Sequence, residues 1–167
     1  KLCMGFRTGI APDSPRYPAL LVFNSIFGDG GSLHSKLFTN IREKEALAYY
    51  IYSKLDRFNG LMLVSGGIDH KNRDKTVAMV QEQLQAVCRG EVSDYEISAT
   101  RDRLDSSLEM VSDSPLSMVG FDLNKRLSGL DMDIEELRLK VRRVTLEEVQ
   151  EVARGIRLDL VYFLCSK

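Results

Sequence analysis

The sequence predicts an α+β domain in which helices pack on one face of an antiparallel or mixed β-sheet. Two alternating stretches joined by Asn59-Gly60 predict a β-hairpin, and hairpin strands are antiparallel. Stretches with the apolar spacing of helices lie on both sides of that hairpin in the chain. Of the 167 residues, 44% are hydrophobic, which is enough for a core without metal or disulfide support. We therefore predict one domain over residues 1–167, with no doubly wound parallel sheet.

The chain opens with a predicted strand and a pair of helices. Residues 2–9 alternate between apolar and other side chains, as in a half-buried strand. A proline-rich loop over residues 11–18 precedes a short buried helix, Ala19 to Phe27. A glycine turn follows, and Ser32 is predicted to cap a second helix that ends near Glu45. The inner face of that second helix is predicted to comprise Leu33, Leu37, Phe38 and Ile41.

The hairpin and the helices after it come next. Its predicted strands are residues 49–58 and 61–69. Val77, Val80, Leu84 and Val87 predict a helix that ends at Gly90. Ser93 with Glu96 is a capping box, predicted to open a long helix with Ile97, Leu104, Leu108 and Val111 on its inner face.

The last third of the chain is predicted to add three helices and a strand. Pro115 suits the first turn of a helix whose apolar side holds Met118, Phe121 and Leu127. A short helix is predicted over residues 134–141, and Thr145 with Glu148 forms a second capping box. The apolar residues 158–165 predict a strand in the centre of the sheet.

Composition argues against several classes of protein. The net charge of -1 gives no electrostatic reason to expect nucleic acid or an anionic membrane as partner. No apolar run reaches the roughly 20 residues that span a bilayer. The cysteines are three and far apart in the sequence, which is typical of a reducing compartment, so we expect a cytoplasmic protein. Because the chain starts at Lys1 in a strand pattern, we expect it to be a fragment of a longer protein.

The sequence gives little support for a metal site or a catalytic nucleophile. A catalytic zinc needs about three protein ligands, and neither His34 nor His70 lies in a zinc-ligand motif. The chain has no nucleophile-elbow motif, and the glycine turn lacks the Gly directly before Lys36 that a phosphate loop requires. We expect no metal, no cofactor and no catalytic residue in this chain.

Arg42 and Tyr49 are the candidate binding residues. Arg42 lies at a predicted helix end and Tyr49 at a predicted strand start, so both side chains can enter one cleft. A guanidinium and a phenol hydroxyl suit the carbonyl groups of a peptide. From the residues alone, the favoured alternative is that Arg42 pairs with Glu43 or Glu45 and Tyr49 packs in the sheet.

The segment from residue 30 to 49 resembles the second-domain signature of the insulinase, pitrilysin and mitochondrial processing peptidase family. That signature joins a glycine turn, a Ser-x-Leu-Phe helix, an Arg-Glu-Lys run and a Leu-Ala-Tyr strand entry. The matching residues here are Gly30, Gly31, Ser35, Leu37, Phe38, Arg42, Glu43, Lys44, Leu47, Ala48 and Tyr49. The order of elements fits one processing-peptidase-like domain over nearly the whole chain. Two positions depart from the family: Lys36 replaces an Arg, and Ala46 replaces a Gly, which implies an unstrained backbone at Ala46.

The resemblance implies a non-catalytic domain of a zinc metallopeptidase. In that family one domain carries the HxxEH zinc motif and a homologous second domain supplies an Arg–Tyr pair that binds substrate. This chain has the pair and lacks the motif, so alone it is predicted to be inactive. The resemblance implies a peptide substrate, and zinc in a homologous domain of the same chain or of a partner subunit. Alternatives are a non-enzymatic scaffold and a peptide-binding subunit of the same fold.

Overall fold

A computed structural model describes residues 1–30 and 32–165 of the chain. Four antiparallel strands form one sheet in the order β2-β3-β1-β4. Their bounds are Leu2–Arg7 for β1, Ala48–Asp56 for β2, Leu61–Ile68 for β3 and Arg157–Phe163 for β4. The predicted α+β architecture with an antiparallel sheet is confirmed, because the helices pack on one face of this sheet.

Six α-helices, a π-helix and a 3-10 turn connect the strands within the described ranges. The α-helices are α1 Tyr17–Phe27, α2 Arg73–Arg89, α3 Asp94–Ser112, α4 Pro115–Ser128, α5 Ile134–Arg143 and α6 Leu146–Gly155. The π-helix is Leu37–Lys44 and the 3-10 turn is His70–Asn72. None of the helices in these ranges is both long and apolar enough to cross a bilayer.

One hydrophobic core lies between the sheet and the helices. Strand side chains that point inward alternate with outward ones, so Leu2, Met4 and Phe6 are fully buried while Arg7 is exposed. Phe23 and Phe27 of α1 stack on each other with ring centroids 5.4 Å apart, at the centre of this core. The core holds the first helix against the strands that carry the candidate site.

The local end signals of several helices work as predicted. Ser93 and Glu96 form a reciprocal capping box at the start of α3, and Thr145 with Glu148 forms another at α6. Gly90 ends α2 with a left-handed backbone, φ 81°. These signals depend only on neighbouring residues, so tertiary packing does not override them.

A charge cluster around the buried Asp105 joins α3 to α5. Asp105 accepts hydrogen bonds from Arg138 at 2.9 Å and from Arg142 of the same helix. Hydrogen bonds from Arg138 and then Arg142 lower the pKa of Asp105 to about 2. The long helix α3 is therefore attached to the rest of the domain by charge as well as by apolar contact.

The last strand lies at an edge of the sheet, so the prediction of a central strand is wrong. β4 pairs with β1 alone and ends at Phe163 rather than at residue 165. Its outward side chains Leu160 and Tyr162 are 62% and 57% exposed. The apolar run reflects one partly buried face and one apolar open face, and composition cannot distinguish that from burial on both faces.

Two helix faces also differ from the prediction. The second helix starts at Leu37 with Lys36 as its first flanking residue, so Ser32 does not cap it, and Leu33 is 67% exposed. Helix α4 contains no buried residue, and Met118 and Leu127 on its predicted apolar side are exposed. Apolar spacing identifies a helix but does not say that a partner covers its apolar face.

Candidate functional site

The π-helix Leu37–Lys44 positions Arg42. Leu37 and Ile41 are fully buried and anchor the helix, and the following residue, Arg42, faces solvent. The guanidinium carbon of Arg42 lies 4.7 Å from the centroid of the Phe38 ring, a cation–π contact. Its Nε lies 3.9 Å from Oε1 of Glu43, at the outer limit of an ion pair. The aromatic contact holds the guanidinium while leaving hydrogen-bond donors free for another acceptor.

Ala46 turns the chain from this helix into β2. Its φ is 49°, so a residue with a side chain occupies the left-handed region that favours glycine. The expectation of an unstrained backbone at Ala46 is therefore wrong. The left-handed turn is therefore formed here by a residue with a side chain, at an energetic cost.

Tyr49 lies at the start of β2, where the register with β3 shifts between Ala48 and Tyr50. This irregularity turns the side chain of Tyr49 outward, and it is 72% exposed. Its hydroxyl donates a hydrogen bond of 3.3 Å to Oδ1 of Asp69, which follows the end of β3. Tyr49 therefore does not pack in the sheet as the alternative interpretation required.

Arg42 and Tyr49 line the same cavity, which has a volume of about 390 Å³. Glu43, Asp69 and Asn72 also line it, so donors and acceptors lie side by side. A peptide main chain presents carbonyl acceptors and N–H donors at regular intervals, and this wall offers partners for both. The sequence predicted that the two residues meet, and the structure brings them together. The alternative interpretation paired Arg42 with Glu43 or Glu45, and of these two contacts only the long one with Glu43 is present.

Sequence reasoning missed Asp69 and Asn72. Both follow β3, and the hairpin register that pairs Ala48 with Ile68 brings them beside the start of β2. The hairpin loop comprises Arg57 to Gly60, four residues rather than the predicted Asn59-Gly60 pair, and the register shifts again at Ala48. Counting back from Asn59-Gly60 would therefore not have found them. Glu45, by contrast, pairs with Lys75 at 2.7 Å and leaves Arg42 free of a second carboxylate.

Lys36 has a structural role. Its side chain is buried and its Nζ lies 3.1 Å from Oε1 of Glu96, which forms the capping box of α3 with Ser93. Burial raises the pKa of Glu96, but hydrogen bonds from Ser93 and the charge of Lys36 outweigh it, so the net shift is downward. Because Lys36 is bound in this way, the glycine turn before it has no free lysine for a phosphate.

The glycine turn is closely packed at its first residue. A Cβ on Gly28 would lie 2.5 Å from Cδ1 of Leu37 and 2.9 Å from Oγ of Ser53, so only glycine fits without movement. Ser53 donates its backbone N–H to the Gly28 carbonyl at 2.6 Å, which fixes the turn against β2. Gly31, part of the predicted signature, lies outside the described residues.

Metal-ligand side chains do not cluster in the described part of the chain. His34 and His70 are exposed and lie on different segments, with His34 edge-on to Tyr95. Within residues 1–30 and 32–165, no group of three His, Cys, Asp or Glu side chains is placed to hold a metal ion. These residues do not fit a catalytic zinc, which needs about three protein ligands.

Comparisons with known proteins agree with the fold and the signature. The pattern of the peptidase M16 inactive domain matches residues 1–104. The "Probable inactive metalloprotease YmfF" of Bacillus subtilis strain 168 is 37% identical over 164 residues, covering 98% of this chain and 38% of YmfF. The "Uncharacterized zinc protease YmxG" of the same strain is 28% identical over 158 residues, covering 93% of this chain and 38% of YmxG.

A solved structure is similar as well. A conserved protein from Enterococcus faecalis V583 superposes with a TM-score of 0.89 at 35% identity, covering 96% of this chain and 37% of that one. The chain thus spans 38% of the length of the two Bacillus relatives. The resemblance to the insulinase and processing peptidase family is confirmed: the chain belongs to the peptidase M16 family, as a domain of its inactive type.

Proposed function

We propose that this chain is the substrate-binding, chamber-forming half of a zinc metallopeptidase that hydrolyses peptides. The observation that supports this most is the cavity that Arg42 and Tyr49 share, with Asp69 beside them. Arg42 donates hydrogen bonds to a carbonyl of the bound peptide, and the hydroxyl of Tyr49 turns from Asp69 to the peptide as a second donor. Both residues act by positioning the peptide main chain.

Zinc and the catalytic base belong, in this proposal, to a homologous domain. That domain is part of a longer parent chain or of a partner subunit. The described residues of this chain offer no set of zinc ligands, so their contribution is to bind and orient. The open face of the sheet, with Tyr50, Tyr52, Leu160 and Tyr162 exposed on it, supplies one wall of the chamber.

The test removes the proposed donors in the full-length or reassembled enzyme. We expect Arg42→Ala to lower kcat/KM for a fluorogenic peptide by about 10- to 100-fold, the effect of losing a charged hydrogen bond. Tyr49→Phe removes one neutral donor, so about 2- to 10-fold is expected. Zinc content, measured by elemental analysis, stays unchanged in both variants because neither residue is a ligand.

Matched controls separate binding from general surface effects. Arg154→Ala and Tyr95→Phe make the same chemical changes at exposed positions that do not line this cavity. Both are expected to leave turnover unchanged. Wild-type turnover in Arg42→Ala would show that Arg42 is only a charged residue at a helix end, and the positioning role would be rejected.

A non-enzymatic scaffold is the second candidate function. It is favoured by the similarity to YmfF, a relative described as a probable inactive metalloprotease. The two candidates differ in the domain that accompanies this one. An HxxEH motif with a downstream Glu, in the same or a neighbouring reading frame, supports the peptidase, and its absence from both supports the scaffold.

A further inference from the structure

Helix α4 carries an apolar stripe on the side that faces away from the domain. Phe121 is partly buried and packs against the core, as do Leu104 and Leu108 of α3. The residue two positions after Phe121 lies about 200° around the helix from it, on the solvent side. Four large side chains recur on that side at intervals of three and four residues, and we call them the α4 stripe: Leu116, Val119, Leu123 and Leu127.

The α4 stripe has the size of a contact surface. Its four residues are 82%, 63%, 55% and 65% exposed, in chain order. Together they expose roughly 500 Å² per copy, compared with about 800 Å² per partner in a standard protein interface. Single exposed leucines are common on soluble proteins, but a contiguous apolar row is typical of a surface that binds a partner. Polar residues beside the stripe can supply the rest of such an interface.

The charges around α4 differ between its two ends. Asp113 lies two positions before the first residue of the helix, and Lys125 and Arg126 lie in its last turn. In the part of the chain that the structure describes, none of these three side chains forms an ion pair. Asp122 offsets only one of the two cations, so the helix end remains basic.

These charges make α4 complementary to an antiparallel copy of itself. In such a pair the acidic start of each helix lies beside the basic end of the other, and the two helix dipoles are opposed. A parallel pair would place like charges together at both ends. The occupant that fits both the apolar row and its charges is therefore a second α4.

We propose that a second copy of this chain covers the α4 stripe, with the two α4 helices packed antiparallel across a twofold axis. The apolar side chains of the two stripes contact each other. Asp113 of each copy lies near Arg126 of the other copy. The contact is isologous, so it closes after two copies. It involves no residue of the Arg42–Tyr49 cavity and does not depend on peptide binding or catalysis.

The test measures the mass of the full-length protein by sedimentation equilibrium over a series of concentrations. We expect a dimer. Leu116→Lys with Leu123→Lys should raise its dissociation constant at least about 100-fold, because the twofold contact would then bury four lysines. The matched control is Leu139→Lys with Leu160→Lys, the same change at exposed leucines of α5 and β4. That control retains the wild-type dissociation constant.

An exchange of charges tests the antiparallel orientation. Asp113→Arg alone and Arg126→Asp alone are each expected to weaken the dimer about 3- to 10-fold, since two ion pairs at the rim become repulsive. The combination of both substitutions restores opposite charges and should return the dissociation constant to near the wild-type value. In a parallel pair each residue would face its own counterpart, so neither single variant would weaken the dimer.

The outcomes decide the proposal. A protein that stays monomeric at every concentration overturns it and leaves another domain or another protein as the occupant of the α4 stripe. A dimer that persists in the Leu116/Leu123 variant also overturns it, because that dimer is formed elsewhere. Charge variants that show no loss, or no recovery in combination, reject the antiparallel arrangement. Arg42→Ala leaves the dissociation constant unchanged, so failure of the peptidase proposal and failure of this one are distinguishable.

Discussion

The methyl group of Ala46 makes its backbone conformation unfavourable. Its φ of 49° costs an L-residue roughly 1–2 kcal/mol relative to the right-handed region. Glycine removes this cost but adds roughly 0.5–1 kcal/mol of unfolded-state entropy. The methyl group of Ala46 is exposed, so its removal sacrifices no core contact. Ala46→Gly is therefore expected to stabilise the domain by about 0.5–1 kcal/mol.

Urea denaturation and thermal melting measure this difference. For a domain of this size the expected increase in Tm is about 1–4 °C. Ala78, exposed in the middle of α2, provides the matched control. There the same substitution lowers helix propensity and is expected to destabilise by about 1 kcal/mol. If Ala→Gly raises stability at Ala46 and lowers it at Ala78, the difference is due to the backbone conformation at each position.

A lower Tm for Ala46→Gly would refute the reasoning. It would mean that flexibility in the unfolded chain outweighs relief of strain, or that the left-handed conformation costs little. Ala46→Val tests the same argument in the other direction. A β-branched residue tolerates positive φ least, so this variant should be destabilised by more than about 1 kcal/mol.

Three further substitutions test the packing of the domain. Asp105→Asn should cost about 1–2 kcal/mol at pH 6: hydrogen bonds from the two arginines of α5 hold the pKa of Asp105 near 2, below its ordinary 3.8. The stability that the Asp105 carboxylate contributes is fully present above pH 4 and is lost as pH falls through 2. The unfolding free energies of wild type and variant, measured in urea, should therefore converge near pH 2. A difference that stays constant with pH contradicts this. Ser93→Ala removes the cap of α3 and should cost about 1 kcal/mol by urea denaturation, whereas an unchanged midpoint would show that the cap contributes nothing. Gly28→Ala places a Cβ 2.5 Å from Leu37 and should lower stability by about 1–3 kcal/mol in thermal melts. Gly120→Ala, with nothing within 4 Å, is the control, and equal effects at both glycines would refute the steric argument.

Local signals predicted the elements that depend on neighbouring residues. The Asn59-Gly60 hairpin, the capping box at Ser93 and the end of α2 at Gly90 each involve residues a few positions apart. The structure confirms both helix signals and the hairpin itself, but β2 ends at Asp56 and the loop is Arg57 to Gly60, not Asn59-Gly60 alone. Such features follow from backbone sterics and from hydrogen bonds between residues that are close in the sequence, so they can be read from the sequence itself.

Features that depend on distant partners were not predictable in this way. The place of β4 at the edge is decided by which strand pairs with β1, a contact between opposite ends of the chain. Exposure of α4 reflects the lack of a covering element among the described residues, although its spacing is that of a packed helix. The left-handed backbone of Ala46 follows from the turn that β2 requires, which overrides the preference of alanine.

The candidate site was predictable only in part. The interval between Arg42 and Tyr49 let the sequence predict that both reach one cleft, because one helix end and one strand start fix their positions. Asp69 enters the same cleft through strand pairing rather than through proximity in sequence.

The open face of the sheet determines how this chain behaves at high concentration. Leu160 and Tyr162 are exposed on a strand whose outer edge has no partner in the described structure. Two copies can pair edge to edge through β4, which places these side chains beside their counterparts on one continuous apolar face. Self-association of the chain then depends on its concentration more than on its folding stability. A charged residue placed on β4 would be the appropriate remedy.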